Sequence, residues 1–292
     1  MNRRTFLCGA AALSLQAKSG PTIAFPAAAS DRLAVASYPF RNEFKPGGMD
    51  LQQFAKMVPE RFGVHAIEPL DTHFRSLDTA YLIELRESFK KSGVRVVNIP
   101  LDVHQCLYHP DAAVRAAGVE HGKRWIDAAV TLGSPSVRVH IPGAKGIPPD
   151  VKRAAESLTA IAQYGEMKNV AVNLENDDLE SEDAFFIVDV INRVHSPWLN
   201  ALPDFCNSML RGDERFNYDA VTAMFKRAYN ISHVKDSESD NGKVFRVDMD
   251  RTFGIAKAAG YRGFFSMEWE GVEDPYTGTK KLIASSLKNL SA

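Results

Sequence analysis

Residues 149–176 read PDVKRAAESLTAIAQYGEMKNVAVNLEN, in which a long segment with helical spacing runs directly into a short β-branched segment. The first part repeats its apolar residues three and four positions apart, which is typical of an amphipathic helix. The second part, residues 170–176, is a short apolar run that ends in Glu175 and Asn176. This stretch therefore predicts one helix followed by one buried strand.

The same alternation fills the chain from Asp31 onward, with no linker or low-complexity stretch to divide it. Eight short apolar runs occupy residues 33–38, 64–69, 94–100, 136–142, 170–176, 199–205, 231–236 and 263–270. Helix-stop glycines precede four of them, namely Gly63, Gly93, Gly133 and Gly260. Eight strand–helix units over about 260 residues predict an α/β fold, a single (β/α)₈ TIM barrel. A doubly wound open sheet is the alternative, but no G-x-G-x-x-G follows the first strand.

The beginning of the chain has the pattern of an export signal. Arg3 and Arg4 precede a short apolar run, and Ala27 and Ala29 offer an A-x-A-like cleavage site. The run is too short to span a bilayer, so residues 1–29 predict a signal peptide of the twin-arginine type. We therefore expect a barrel domain over residues 30–292, a periplasmic or otherwise exported location, and no membrane span in the mature chain.

Charge and cysteine content restrict the possible partners. The whole chain has 35 basic and 36 acidic side chains, and the predicted mature chain keeps 32 and 36. No basic block or basic–aromatic stripe is present, so a nucleic-acid partner is not expected. Cys106 and Cys206 alone make no disulfide framework. The twin-arginine route carries folded proteins, often with a metal or cofactor already loaded. The oligomeric state has no sequence signal.

Ionisable residues mark the ends of four successive predicted strands. Because side chains alternate along a strand, the inward residues can be separated from the outward ones. The inward strand-end residues are Glu175, Asp204, His233 and a glutamate, which is Glu268 or Glu270. Carboxylates with one imidazole suit a divalent ion, best Mn²⁺, with Co²⁺, Mg²⁺ and Zn²⁺ as alternatives. The sequence predicts a metal site at the carboxyl ends of the strands.

Four motifs at these strand ends resemble those of a known family. They are VNLEND (172–177), ALPDFCN (201–207), HVKDSES (233–239) and AGYRGFFSMEWEG (259–271). They resemble the sugar phosphate isomerase/epimerase family, the xylose-isomerase-like TIM barrels, and the resemblance runs over the whole predicted mature chain. It implies one divalent metal ion held by Glu175, Asp204, His233 and Glu268, with Glu270 as the fallback for the last.

The resemblance also implies the chemistry. A metal that chelates a sugar carbonyl and the neighbouring hydroxyl acidifies the carbon between them and stabilises an enediolate. Glu175 and Glu268 are the expected catalytic carboxylates, and Lys235, on the same face as His233, is the candidate general acid. This predicts an isomerase or epimerase. The alternatives are a lyase or dehydratase that eliminates from a 3-keto-glycoside or inosose, and a carbohydrate-binding barrel without turnover.

The expected substrate is a non-phosphorylated sugar, keto-sugar or glycoside, because phosphate esters are scarce outside the cytoplasm. Candidate substrate contacts are Glu68 at the end of the second strand, Arg138 and His140 at the end of the fourth, and Asn207 after the sixth. Asn207 stands where ketose 3-epimerases of this kind often carry a substrate-binding His, and where abasic-site endonucleases of the superfamily carry a zinc-binding His. Abasic-site cleavage is therefore not expected.

Overall fold

Parallel strands alternate with helices throughout the computed structural model, which describes residues 19–102 and 105–291. The strands close into a barrel that the helices surround, so the predicted (β/α)₈ fold is confirmed. Of the signal peptide predicted over residues 1–29, residues 1–18 lie outside the described residues. Among the described helices, none combines the length and apolar character needed to span a bilayer.

The barrel wall is built from parallel pairs. Its strands are β1 Leu33–Ala36, β2 Ala66–Glu68, β3 Arg95–Val96, β4 Pro100–Leu101, β5 Ser136–Val139, β6 Ala171–Glu175, β7 Leu199–Leu202, β8 Ile231–Val234 and β11 Phe264–Met267. One sheet has the order β3-β2-β1-β11-β8 and the other the order β4-β5-β6-β7. A bridge between Asp204 and His233 joins β7 to β8 and closes the wall next to the predicted metal site.

Eight helices cover the outside of this wall. They are α1 Leu51–Phe62, α2 Thr79–Lys91, α3 Ala112–Leu132, α4 Val151–Lys168, α5 Ala184–Val194, α6 Glu214–Phe225, α7 Met249–Ala258 and α8 Pro275–Ser291. Aspartate side chains accept backbone N–H groups at the start of seven of them: Asp50, Asp111, Asp150, Asp183, Asp213, Asp248 and Asp274. The stop glycines Gly63 and Gly133 have φ of 65° and 81°, the left-handed region that favours glycine.

Two features differ from the predicted elements. The third predicted strand, residues 94–100, is split into β3 and β4, because the chain changes partner from β2 to β5 around Asn98 and Pro100 has no N–H to continue a ladder. A hairpin of β9 Ser237–Asp240 and β10 Lys243–Arg246 rises beside the barrel mouth. Its turn is Asn241-Gly242, in which both residues have positive φ, and an Asn-Gly pair is a sequence signal for a hairpin.

The barrel interior changes character from one end to the other. Along β11, Phe264, Ser266 and the following Glu268 lie two residues apart on one face, running from an apolar to a charged level. At the middle level, Asn173 Nδ2 donates to Asn230 Oδ1 at 3.1 Å, and Asn230 Nδ2 donates to the Ser136 hydroxyl at 2.8 Å. Hydrogen bonding of this kind allows buried amides to be tolerated.

The amino end of the barrel is apolar. Its inward side chains form one cluster: Ala34, Ala66, Val97, Leu202, Ile231 and Phe264. Residues 19–29 run across this end, where Phe25 packs against Phe264 with ring centroids 6.2 Å apart. The segment is also held by hydrogen bonds, from Trp198 Nε1 to Ser19 O at 3.2 Å and from the Tyr229 hydroxyl to Pro21 O.

Candidate metal centre and its cavity

The strand ends bring four predicted ligands together at the carboxyl end of the barrel. Glu175 ends β6, Asp204 follows β7, His233 lies in β8 and Glu268 follows β11. One ligand atom from each lies within 4.8 Å of the others, and all four residues are buried. Four carboxylate or imidazole groups at this spacing, on four neighbouring strands, form a candidate site for one divalent cation.

His233 is the centre of the hydrogen bonding. Its Nδ1 lies 2.6 Å from Glu175 Oε1 and 3.1 Å from Glu268 Oε2, whereas its Nε2 lies 3.0 Å from Glu68 Oε2. Although burial opposes protonation, the surrounding carboxylates raise the pKa of His233 well above its ordinary value. The cluster therefore favours a positive charge at its centre, and Nδ1 is the nitrogen that faces the other ligands.

Asp204 has one oxygen committed to the backbone and one left over. Its Oδ1 accepts the N–H groups of Cys206 at 2.8 Å and Asn207 at 2.6 Å, whereas Oδ2 is buried and has no hydrogen-bond partner. Burial and the charges of Glu175 and Glu268 raise the pKa of Asp204 to about 7, although the charge of Lys235 opposes this rise. A buried carboxylate oxygen without a donor fits a cation ligand.

The structure distinguishes the two candidate glutamates after β11. Glu268 belongs to the ligand cluster, whereas Glu270 Oε2 lies 3.2 Å from Lys235 Nζ outside it. Lys235 Nζ also lies 3.3 Å from Glu268 Oε2. Burial opposes the charge of Lys235, but the facing carboxylates outweigh it and raise its pKa well above the ordinary range. Lys235 is therefore a fixed cation beside the candidate metal site.

The fourth predicted strand places Arg138 and His140 at the same mouth. Arg138 Nε donates to Glu175 Oε2 at 2.7 Å, so it holds the ligand oxygen that His233 leaves free. His140 Nδ1 lies 2.7 Å from Glu182 Oε2 and 3.6 Å from Asp177 Oδ2. Both residues line the cavity above the cluster, as substrate contacts must.

Glu68 and Asn207, which the sequence indicated as substrate contacts, are buried below the cavity and are not part of its lining. Glu68 is fully buried beneath His233, and its other oxygen accepts from Asn98 Nδ2 at 2.7 Å. Asn207 Oδ1 accepts from Lys235 Nζ at 3.0 Å. Glu68 thus orients His233, a supporting role that metal-binding histidines commonly require. Asn207 orients Lys235 through Oδ1, whereas its buried Nδ2 has no hydrogen-bond partner.

The cavity above the cluster has a volume of about 350 Å³. This lies within the range of roughly 300–1,000 Å³ that is usual for small-molecule sites. Its charged lining includes five carboxylates and two cations: Asp102, Glu175, Asp177, Glu268, Glu270, Arg138 and Lys235. A polar cavity with excess negative charge suits a polyhydroxylated, uncharged ligand and disfavours an anionic one.

Sequence reasoning missed three residues of this region. Glu182 lies in the loop between β6 and α5, where no periodicity marks an inward side chain. Glu238 lies in the hairpin and is 3.5 Å from Lys235 Nζ, so its role depends on the unrecognised Asn241-Gly242 turn. Tyr38 follows β1 and lines the cavity, and an aromatic residue after an apolar run resembles any core residue.

The sequence and the fold were compared with known proteins. Residues 60–290 match the family described as xylose isomerase-like TIM barrel. No curated protein matches the sequence.

Similar solved structures share the fold at low sequence identity. A xylose isomerase domain protein from Planctomyces limnophilus is 19% identical, with a TM-score of 0.65, over 89% of this chain and 95% of that one. D-allulose 3-epimerase from Methylomonas sp., in complex with D-allulose, is 16% identical, with a TM-score of 0.69, over 92% and 98%. The 3-keto-D-glucoside 4-epimerase from E. coli is 15% identical, with a TM-score of 0.65, over 88% and 99%.

Proposed function

Because the chain belongs to the xylose isomerase-like TIM barrel family, we propose that it is a divalent-metal-dependent sugar isomerase or epimerase. The proposed reaction proceeds through an enediolate of a non-phosphorylated sugar or keto-sugar. The observation that carries this proposal is the buried cluster of Glu175, Asp204, His233 and Glu268 beneath a polar cavity. Such a cluster is expensive to bury unless a cation compensates its carboxylates.

The donor set supports a metal that prefers oxygen with some nitrogen. Three carboxylates and one imidazole fit Mn²⁺ best, with Co²⁺, Mg²⁺ and Zn²⁺ as alternatives. Asp204 Oδ2 has no hydrogen-bond partner, and His233 Nδ1 faces the carboxylates of Glu175 and Glu268. Glu68, which holds Nε2, keeps the imidazole in that orientation.

A bound divalent ion would supply Lewis-acid polarisation of a sugar carbonyl and its neighbouring hydroxyl. Glu175 and Glu268, whose carboxylates both face His233 Nδ1, would then remove a proton from the carbon between those oxygens and return one. Lys235 stays charged beside Glu268 and offers a fixed positive charge to an oxygen that becomes negative.

The charge of the cavity supports a substrate without phosphate. Arg138 and Lys235 are the arginine and the lysine of its lining, and they are already paired with carboxylates at 2.7 Å and 3.2 Å respectively. Neither is left free to bind a phosphate group. The names of the similar structures, which include a D-allulose 3-epimerase and a 3-keto-D-glucoside 4-epimerase, agree with a free sugar or keto-sugar.

The test is proton exchange at carbon. The manganese-loaded full chain is incubated in D₂O with free ketoses and with 3-keto-glycosides, and deuterium incorporation and epimer formation are followed by NMR. We expect metal-dependent exchange at a carbon next to the carbonyl with at least one of these sugars. Binding without exchange for every sugar would overturn the proposal in favour of a carbohydrate-binding barrel.

A second candidate reaction is elimination from a 3-keto-glycoside or inosose. It begins with the same proton removal, and a group on the next carbon then leaves. The observation that favours it is the pair of His140 and Glu182, an additional ionisable pair at the edge of the cavity.

Export is also part of the proposal, and it rests on the Arg3-Arg4 pair and the apolar run that follows. Cell fractionation of the chain beside a variant with both arginines changed to lysine tests it. We expect the unchanged chain outside the cytoplasm and the variant inside. Equal distribution of the two proteins would show that the pair is not an export signal.

A further inference from the structure

His140 and Glu182 form a carboxylate–imidazole pair at the edge of the cavity. Glu182 is fully buried, and its Oε1 accepts the backbone N–H of Ile141 at 2.6 Å. Its Oε2 has no hydrogen-bond partner and lies 2.7 Å from His140 Nδ1, in a close ion-pair contact. The backbone at the end of β5 therefore holds the carboxylate, and the carboxylate faces the Nδ1 edge of the imidazole ring.

This arrangement determines which edge of the ring a substrate meets. The Nδ1 edge of His140 faces the buried Glu182, while the side chain is 22% exposed and lines the cavity. The edge open to a ligand is therefore that of Nε2. A ring held this way by a carboxylate is the arrangement by which proteins orient an imidazole that donates or accepts a proton.

The electrostatic surroundings favour the protonated ring. Burial opposes the charge and Arg138 repels it, but Glu182 outweighs both and raises the pKa of His140 above its ordinary value. The other charged groups facing the ring are Asp177 and Asp178, from the loop after β6. A protonated His140 thus has a proton at Nε2 to give.

Epimerisation by Glu175 and Glu268 leaves this proton donor unused. Epimerisation needs one proton removed and one returned at the same carbon, which two carboxylates accomplish. Elimination needs something more, because an alkoxide is a poor leaving group unless its oxygen is protonated as it departs. A donor at the cavity wall, apart from the metal cluster, is what that step requires.

We propose that His140, held by Glu182, is the catalytic acid of an elimination in which a 3-keto-glycoside loses its aglycone. The proposal rests on the proposed function, because Glu175 or Glu268 must first remove the proton from C2. The electron pair forms the C1–C2 double bond, the C1–O bond breaks, and the Nε2 proton passes to the departing oxygen. The products are an unsaturated keto-sugar and a free alcohol. The glutamate then releases the C2 proton to water, and His140 takes up one proton from water, so that both groups return to their starting states.

Two probes with different leaving groups test this role in the manganese-loaded full chain. Methyl 3-keto-glucoside releases a poor leaving group, and 4-nitrophenyl 3-keto-glucoside releases one that needs no proton. We expect His140→Asn to slow methanol release by about 10²-fold or more, the usual contribution of a general acid. Nitrophenolate release should change only a few-fold, and deuterium exchange at C2 should persist, which shows that the variant is folded.

Glu182→Gln provides a second variant with a different readout. Removing the carboxylate charge lowers the pKa of His140, so methanol release should begin to fall at a lower pH than in the wild type. Glu180→Gln, an exposed carboxylate in the same loop, is the matched control and should keep the wild-type pH profile.

The outcomes separate this inference from the proposed function. If the wild type shows no exchange with any free ketose or 3-keto-glycoside and releases no alcohol, the proposed function fails. If it shows exchange but releases no alcohol from either probe, elimination fails and the epimerase proposal stands. Equal loss by His140→Asn on both probes, with an unchanged pH profile in Glu182→Gln, would make His140 a binding contact only and overturn the catalytic role.

Discussion

The two ends of the barrel are built from the same strands, yet their inward side chains have opposite characters. At the amino end, Ile231 and Phe264 belong to an apolar cluster. At the carboxyl end, two and four residues further along the same two strands, His233 and Glu268 belong to the ligand cluster. Only two to four residues along a strand therefore separate the apolar cluster from a set of buried ionisable groups.

The difference indicates how stability and function are divided. Apolar burial at the amino end contributes to folding directly. The carboxyl end buries carboxylates beside His233, Arg138 and Lys235, and buried ion pairs of this kind contribute little net stability. Substitutions at the amino end should therefore lower the free energy of unfolding, whereas conservative substitutions at the carboxyl end should mainly lower metal affinity and activity.

Glu268→Gln should have the largest effect on activity. The amide can neither accept the substrate proton nor bind a metal as a carboxylate does, so deuterium exchange should fall by about 10³-fold or more. The exposed Glu273→Gln is the control and should retain activity. If instead Glu270→Gln lost the metal and Glu268→Gln kept it, the assignment of the ligand after β11 would be reversed.

Phe264→Ala probes the opposite end. Phe264 is 2% exposed, so its removal leaves a cavity in the apolar cluster. We expect the free energy of unfolding to fall by about 3–5 kcal/mol, measured by urea denaturation, with metal content unchanged in the folded protein. Loss of metal without loss of stability would contradict the division between the two ends.

Glu68→Gln tests the link between the polar middle level and the metal site. Glu68 holds His233 Nε2 at 3.0 Å and takes no place among the four ligands. A neutral amide supports the imidazole less well, and we expect about 10–100-fold weaker metal affinity by competition with a chelator. An unchanged affinity would mean that the imidazole orientation is set by other contacts.

Phe25→Ala should have the smallest effect. Phe25 is half-buried on the amino end, with its ring centroid 5.6 Å from that of Tyr229. Since only part of the ring is removed from water, we expect the full chain to lose roughly 1 kcal/mol of unfolding free energy. Activity should be unchanged, and a large loss of activity would show that the two ends are coupled.

The sequence predicted the fold and the ligand cluster for the same physical reason. In a parallel barrel, strand carboxyl ends meet at one mouth, so residues such as Asp204 and His233 converge although 28 positions separate them in the chain. Strand period was enough to place Glu175, Glu268 and Glu270 on the inward face, and the preference for Glu268 over Glu270 came from the family resemblance.

The period-two pattern of the strands shows neither how deep a side chain lies nor where a loop residue is placed. Period two identifies Glu68 as inward but not whether its side chain reaches the cavity or stops beneath His233. Glu182 lies in a loop, where no period applies, and its position depends on the hydrogen bond to Ile141 N–H. The split of the third strand follows from a change of partner around Asn98, which is a property of the whole barrel.

Metal content is the measurement that tests the central claim most directly. The full chain and Asp204→Asn, each purified after folding in the presence of Mn²⁺, are analysed by elemental mass spectrometry, with Glu273→Gln as the control. The account predicts about one divalent ion per chain in the wild type and the control, and its loss in Asp204→Asn, because Asp204 Oδ2 then becomes an amide atom. No metal in any of the three proteins would contradict it.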